Sequence, residues 1–307
     1  MGKVEKAGKE QKTEVLGTAR KVRVRVPATT ANLGPGFDSF GCALSLYNTV
    51  EFAPVSNGLE WADYPAAFAN KENLIYQGFS AVFEYLGMPV PGVRIAADEQ
   101  IPFSRGLGSS AVMLTAGALG ANALAGNPLS REQLLVITNK IEGHPDNLAP
   151  AFFGGMTVSA VDNAGVPITR IFPVHPDWKF LVFIPDFPLP TAQARAVLPA
   201  QVSRADAIFN ISHAALLLKA FESGDLDLLR FALDDRLHQP YRRHLIPGIA
   251  EIDDQVNQFG GKLCISGAGP TLLCITKGSA AGRIDIPDGW KAIYLDVDVN
   301  GAGIETV

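Results

Sequence analysis

Residues 101–114 read "IPFSRGLGSSAVML": two glycines, two serines and an arginine lie between a proline and an apolar run. Amides in the first turn of a helix have no partner inside it, and the macrodipole adds about half a positive charge there. A loop that exposes such amides attracts phosphate. Gly106 and Gly108 leave room for close approach, and Ser109 and Ser110 can supply hydroxyl donors or a metal ligand. The competing reading is a glycine turn with a serine N-cap, and spacing alone leaves both open. Residues 111–125 are nearly all small or apolar, which predicts a helix buried on most sides behind the loop.

Two other nucleotide motifs fail here. A Walker A loop needs Gly-Lys followed by Ser or Thr, and the two Gly-Lys pairs, Gly2-Lys3 and Gly261-Lys262, precede Val and Leu. "GLGSSA" formally fits the dinucleotide pattern GxGxxA, but "EQIPFSR" separates it from the preceding strand. The acidic residue due about twenty positions later would fall near Arg131 and Glu132, at a helix start.

Before the loop, Val22, Val24 and Val26 alternate with Lys21, Arg23 and Arg25, the pattern of a strand with one wet face. A glycine-rich loop, "NLGPGFD", separates it from a second strand ending near Phe52. Residues 73–86 have helical spacing with Gly87 as a stop, and "VRIAAD" is a short strand. Ser130 opens a helix that runs to "EGHPDN", where proline ends it. Residues 154–161, 168–174 and 179–185 read as strands, and 202–221, 225–237 and 246–259 as helices. "KLCISGAGPTLLCIT" gives strand, glycine turn, strand, and "KAIYLDVDV" closes the chain. The order predicts an α+β fold split near residues 170–180.

A chain of 307 residues with 47% hydrophobic content suits one large or two ordinary domains, and a net charge of −5 argues against a nucleic-acid protein with a broad cationic face. Cys42, Cys264 and Cys274 are isolated, without metal-ligand spacing, which fits a reducing cytoplasm. Residues 1–20 mix charges without a signal-like apolar core and read as a solvated tail; no apolar stretch reaches membrane-spanning length.

Three separated motifs, "VPATTANLGPGFDSFGCAL", "PFSRGLGSSAV" and "GGKLCISGAGPTLLC", resemble those of the GHMP small-molecule kinases. "EGHPDNLAPAFFGG", "TAQARAVLP" and "QPYRRHLIPG" are most similar to the members that phosphorylate homoserine. The resemblance implies a two-layer α/β sandwich within an α+β fold. A ribosomal-protein-like nucleotide domain would cover residues 21–175 and a ferredoxin-like domain residues 176–307. It also implies ATP and Mg2+, L-homoserine as acceptor, a place in cytoplasmic threonine biosynthesis, and a homodimer without nucleic-acid or membrane partners. Its alternatives are a kinase for another small alcohol, such as mevalonate or a sugar, and a silent nucleotide-binding regulator.

Carried over position by position, the resemblance assigns Pro102, Ser104, Arg105, Gly106, Leu107, Gly108, Ser109, Ser110, Gly267 and Gly269 to ATP, and Ser109, Ser110 and Glu142 to the metal. Glu142 and His144 are nearly adjacent, where some members space them further apart. Asn32, Asp38, His144, Asn147, Arg195 and Arg242 would meet the acceptor, with Asn32, Asp38 and Asp146 as catalytic candidates and the role of base left open. Homoserine carries an ammonium, a carboxylate and a hydroxyl, and a guanidinium meets both carboxylate oxygens at once. Arg243 is the lesser neighbour of Arg242. For Asn32 and Asp38 the alternative is a loop-stabilising Asx turn.

Overall fold

The computed structural model describes residues 21–277 and 284–307; the tail at 1–20 lies outside them. Eleven strands and nine α-helices follow one another among these residues. The first sheet begins with β1 (Val22–Ala31), β2 (Phe40–Pro54) and β3 (Leu59–Ala62), continues after α1 (Leu74–Tyr85) with β4 (Val93–Glu99), and is backed by α2 (Ser109–Leu124), α3 (Arg131–Glu142) and α4 (Leu148–Phe153). Strands β5 (Met156–Val161) and β6 (Pro167–Phe172) extend it. Then come β7 (Trp178–Pro185), α5 (Thr191–Ala196), α6 (Arg204–Ser223), α7 (Leu226–Ala232), α8 (Gln239–Arg242) and α9 (Ile249–Gln258). Strands β8 (Lys262–Ile265), β9 (Leu272–Lys277), β10 (Trp290–Leu295) and β11 (Gly303–Thr306) complete the chain.

The first sheet has seven strands in the order β11-β1-β2-β4-β3, with β5 on β2 and β6 on β5; the second has four, β10-β7-β9-β8. Every pair is antiparallel except β3 with β4. The α+β reading therefore holds. In β1 the valines are buried and Arg25 exposed, so alternation does separate core from solvent. Helix α2 buries thirteen of its sixteen residues between the sheet and its neighbours. That is why its sequence has almost no polar face.

Four local differences from the sequence reading have clear causes. Helix α3 carries the Ser130 capping box with Gln133, but it stops at Gly143 in the left-handed conformation, two residues before the proline. Pro145 and Asp146 instead lead into α4, a helix the sequence reading leaves out. Helix α7 ends at Ala232, not 237, because the Asp235 carboxylate accepts the backbone N–H groups of Leu237, His238 and Gln239 and turns the chain. The chain does not close with "KAIYLDVDV": β11 returns to pair with β1, Val22 opposite Thr306. The stretch 176–307 is thus shared between both sheets. The four residues of β11 carry little apolar signal because the strand lies on a sheet edge.

Candidate active site

The cleft lies where the start of α2 meets the turn between β8 and β9. Gly108 caps α2 in the left-handed conformation, φ 68°, with no side-chain cap, so the serine N-cap alternative does not hold. A Cβ on Gly108 would sit 1.9 Å from Thr29 Oγ1, and one on Gly106 2.3 Å from the Ser266 carbonyl. Only glycine fits at either point. The Ser266 hydroxyl donates to the Gly106 carbonyl at 2.6 Å, and Thr271 N donates to the Arg105 carbonyl at 3.2 Å, so the turn and the loop are stitched together.

One cavity is lined by Ser104, Gly106, Gly108, Ser109, Ser110, Gly267 and Gly269 from these two loops. Asn32, Glu142, His144, Asp146, Asn147, Arg195 and Arg242 line the same cavity. Pro102, Arg105 and Leu107 do not. Leu107 is buried, and its carbonyl accepts from Thr29 N. The Arg105 guanidinium donates to the Pro185, Asp186 and Phe103 carbonyls, tying the loop to the end of β7. Its side chain is a clasp, which basic residue type alone could not reveal. Leu189, Thr191 and Ala268 also line the cavity without having been expected there; Thr191 opens α5, inside the quoted "TAQARAVLP".

Ser110 Oγ donates to Glu142 Oε2 at 2.5 Å. Burial raises the Glu142 pKa, and nearby Asp146 adds to this, while Ser110 and His144 work against it. Glu142 is therefore not the solvated helix-end carboxylate that its position would otherwise suggest. His144 Nδ1 lies 3.2 Å from Asp146 Oδ1, at ion-pair range but outside hydrogen-bond geometry. Asp146 raises the His144 pKa against the effect of burial. Asp146 itself is 1% exposed and accepts from Asn147 N at 2.9 Å, and Asn147 Oδ1 accepts from the Thr29 hydroxyl.

Asn32 and Asp38 both adopt positive φ, 57° and 53°. The Asn32 amide is used at both ends: Nδ2 donates to the Gly267 carbonyl at 2.9 Å, and Oδ1 accepts from Asp38 N at 2.7 Å. With partners six and 235 residues away these bonds brace the loop without forming an Asx turn, and the residue lines the cavity. Asp38 does not line it; its carboxylate is held by both terminal nitrogens of Arg195, at 2.7 and 2.9 Å. This pair raises the Arg195 pKa.

Arg242 is arranged differently. It is 1% exposed and has no carboxylate in salt-bridge range among the described residues. Burial pushes its pKa down to about 10, and Arg195 adds to that. Both guanidinium groups lie over the Phe37 ring, Arg195 at 5.7 Å and Arg242 at 5.2 Å from its centroid. They converge on one cavity instead of facing apart. Arg243 turns away and pairs with Asp253 at 2.7 Å.

Residues 73–155 match the model of the GHMP kinases N terminal domain and residues 217–284 that of the GHMP kinases C terminal. The homoserine kinase of Synechococcus sp. is 48% identical over 90% of this chain and 93% of its own length. That of Clostridium botulinum is 43% identical over 92% and 97%. The crystal structure of homoserine kinase from Cytophaga hutchinsonii superposes with a TM-score of 0.83 at 23% identity, over 98% of this chain and all of that one. Similarity this high along nine-tenths of the sequence leaves one conclusion: the chain belongs to the GHMP kinase family, in its homoserine kinase branch.

Proposed function

We propose that the chain transfers the γ-phosphoryl group of ATP to the side-chain hydroxyl of L-homoserine, giving O-phospho-L-homoserine for threonine synthesis in the cytoplasm. The observation that carries this is the meeting of a glycine-capped helix start and a buried, carboxylate-free Arg242 in one cavity. Phosphoryl transfer passes through a loose transition state, so alignment and charge neutralisation are the main tasks. Amides of residues 106–110 hold the β- and γ-phosphates; Gly267 and Gly269 support them from the facing turn.

Arg242 takes the acceptor carboxylate, and Arg195, set by Asp38, steadies it. His144, Asp146, Asn147 and Asn32 surround the acceptor hydroxyl. The bond from the γ-phosphorus to the bridging oxygen of ADP breaks as the homoserine oxygen bonds to phosphorus. A primary alcohol loses little proton before a loose transition state, so its proton passes to a γ-phosphate oxygen and no strong base is required.

Oxygen donors from Ser110 and the desolvated Glu142 suit Mg2+, with Ser109 adjacent. Mg2+ is commonly held by one or two protein oxygens and completes its shell with substrate phosphates and water. When bound, Mg2+ neutralises developing phosphate charge. No helix among the described residues is long and apolar enough to cross a membrane. A homodimer is proposed with this function, and light scattering reads it directly.

The test is ADP release with L-homoserine, L-serine, L-threonine, mevalonate and galactose as acceptors. Turnover with L-homoserine well above the rest is expected. Consumption of ATP with mevalonate or galactose but not L-homoserine contradicts the assignment.

A further inference from the structure

Arg242 is a buried cation held by neutral groups. Its Nε donates to the Ala194 carbonyl at 3.1 Å, and Nη1 donates to the Gly267 carbonyl at 3.2 Å. The third acceptor is His238, whose Nδ1 lies 3.3 Å from Nη1. The Nη2 nitrogen has no acceptor among the described residues, although Arg242 lines the cavity.

His238 is completely buried, and its protonation pattern follows from the groups that face its two ring nitrogens. Nε2 lies 2.9 Å from the Gly34 carbonyl and 3.6 Å from Asp235 Oδ2, both of which can only accept, so Nε2 carries the hydrogen. Nδ1 then keeps a lone pair, and that lone pair faces a nitrogen that can only donate. Burial lowers the His238 pKa and Arg242 adds to this, against Asp235 and the Gly34 carbonyl, so the neutral form is favoured. The ring is stacked on Phe37 at 5.3 Å, and Asp235 anchors the backbone on which it rides. The imidazole is therefore fixed in place, orientation and tautomer.

We propose that His238 is a positioning residue for the acceptor: its Nδ1 accepts from Arg242 Nη1 and aims the Nη2 edge at the acceptor carboxylate. A carboxylate in this place would orient the guanidinium equally well but would neutralise it, as Asp38 does for Arg195. A neutral acceptor fixes direction and leaves the charge for the ligand. This inference rests on the reading that Arg242 binds the acceptor carboxylate.

Steady-state kinetics of Arg242→Met, His238→Leu, His238→Asn and His238→Gln test both layers separately. Arg242→Met is expected to raise the homoserine KM about 100-fold, the scale of a lost charged partner. His238→Leu should raise it about tenfold, as for a hydrogen bond to a charged group, with kcat and the ATP KM within about twofold. Asn offers its Oδ1 near the Nδ1 position and should stay within about threefold of the parent chain, while Gln can keep the Gly34 bond but offers nothing at Nδ1 and should resemble Leu. The Asn and Gln pair decides the matter if the Leu variant fails to fold. Leu or Gln with an unchanged homoserine KM, Asn as impaired as Gln, or ATP KM and kcat shifting with the homoserine KM would each overturn the role of His238. An unchanged homoserine KM in Arg242→Met would instead overturn the reading beneath it.

Discussion

In the proposed site the main chain supplies the donors on one side of the cleft, through residues 106–110 and the turn 267–269; on the other, side chains from four separated segments, at 32, 142–147, 195 and 242, face the cavity. The proposed phosphate side is two loops joined by the Ser266–Gly106 hydrogen bond and backed by a buried helix. The acceptor side depends on the packing of Arg195 and Arg242 over Phe37, and on their unequal partners. A change of side chain therefore acts on the first by steric exclusion and on the second by removing charge or direction.

The largest expected effect tests the steric half. Gly108→Ala places a Cβ 1.9 Å from Thr29 Oγ1 and 2.9 Å from Asn147 Oδ1 at a positive φ. Its kcat/KM for ATP should fall about 1,000-fold, comparable to losing a main transition-state donor. Parent-like ATP kinetics would break the main-chain account. Next comes the asymmetry between the arginines. Because Asp38 already neutralises Arg195, Arg195→Met should raise the homoserine KM about tenfold against about 100-fold for Arg242→Met, the latter having no carboxylate of its own. Equal effects would show that Asp38 does not set them apart.

A smaller change is expected at Asp146. It already accepts the Asn147 backbone N–H, and the proposed chemistry needs no strong base. Asp146→Asn should lower kcat by about tenfold or less; a true base would cost about 100- to 10,000-fold. The smallest effect is on stability. The His144 pKa is raised in the folded chain by Asp146, so its contribution is fully present below its ordinary value near 6.5 and is lost as pH rises through the raised value. Melting temperatures measured from pH 6 to 8.5 should show this loss in the parent chain and not in His144→Gln. A His144→Gln profile parallel to that of the parent chain would remove the pair from the stability account.

The glycine loop and the buried helix behind it were legible because their physics is local. Glycines, serines and the small-residue helix that follows them are consecutive, and each has a conformational meaning of its own. The acceptor side was not legible in that way. Arg195 and Arg242 entered through resemblance, and nothing in "RRH" shows that Arg242 turns inward while Arg243 turns to Asp253. That choice is made by α8 packing beneath Ala194 and Gly267, contacts that span 48 and 25 residues. The clasp made by Arg105 is hidden for the same reason: its Pro185 and Asp186 acceptors lie about 80 residues away. His238 gave no signal at all, since a lone histidine before "QPYR" has no pattern until Gly34 and Arg242 are placed on either side of it.

The central claim is that the start of α2 grips the nucleotide's phosphates while Arg242 grips the acceptor. A crystal structure with a non-hydrolysable ATP analogue and L-homoserine measures both at once. The account predicts β- and γ-phosphate oxygens within hydrogen-bond distance of the amides of residues 106–110, and the homoserine carboxylate on Arg242 Nη2. Phosphates bound away from that helix start, or a carboxylate held elsewhere with Arg242 unoccupied, would contradict it.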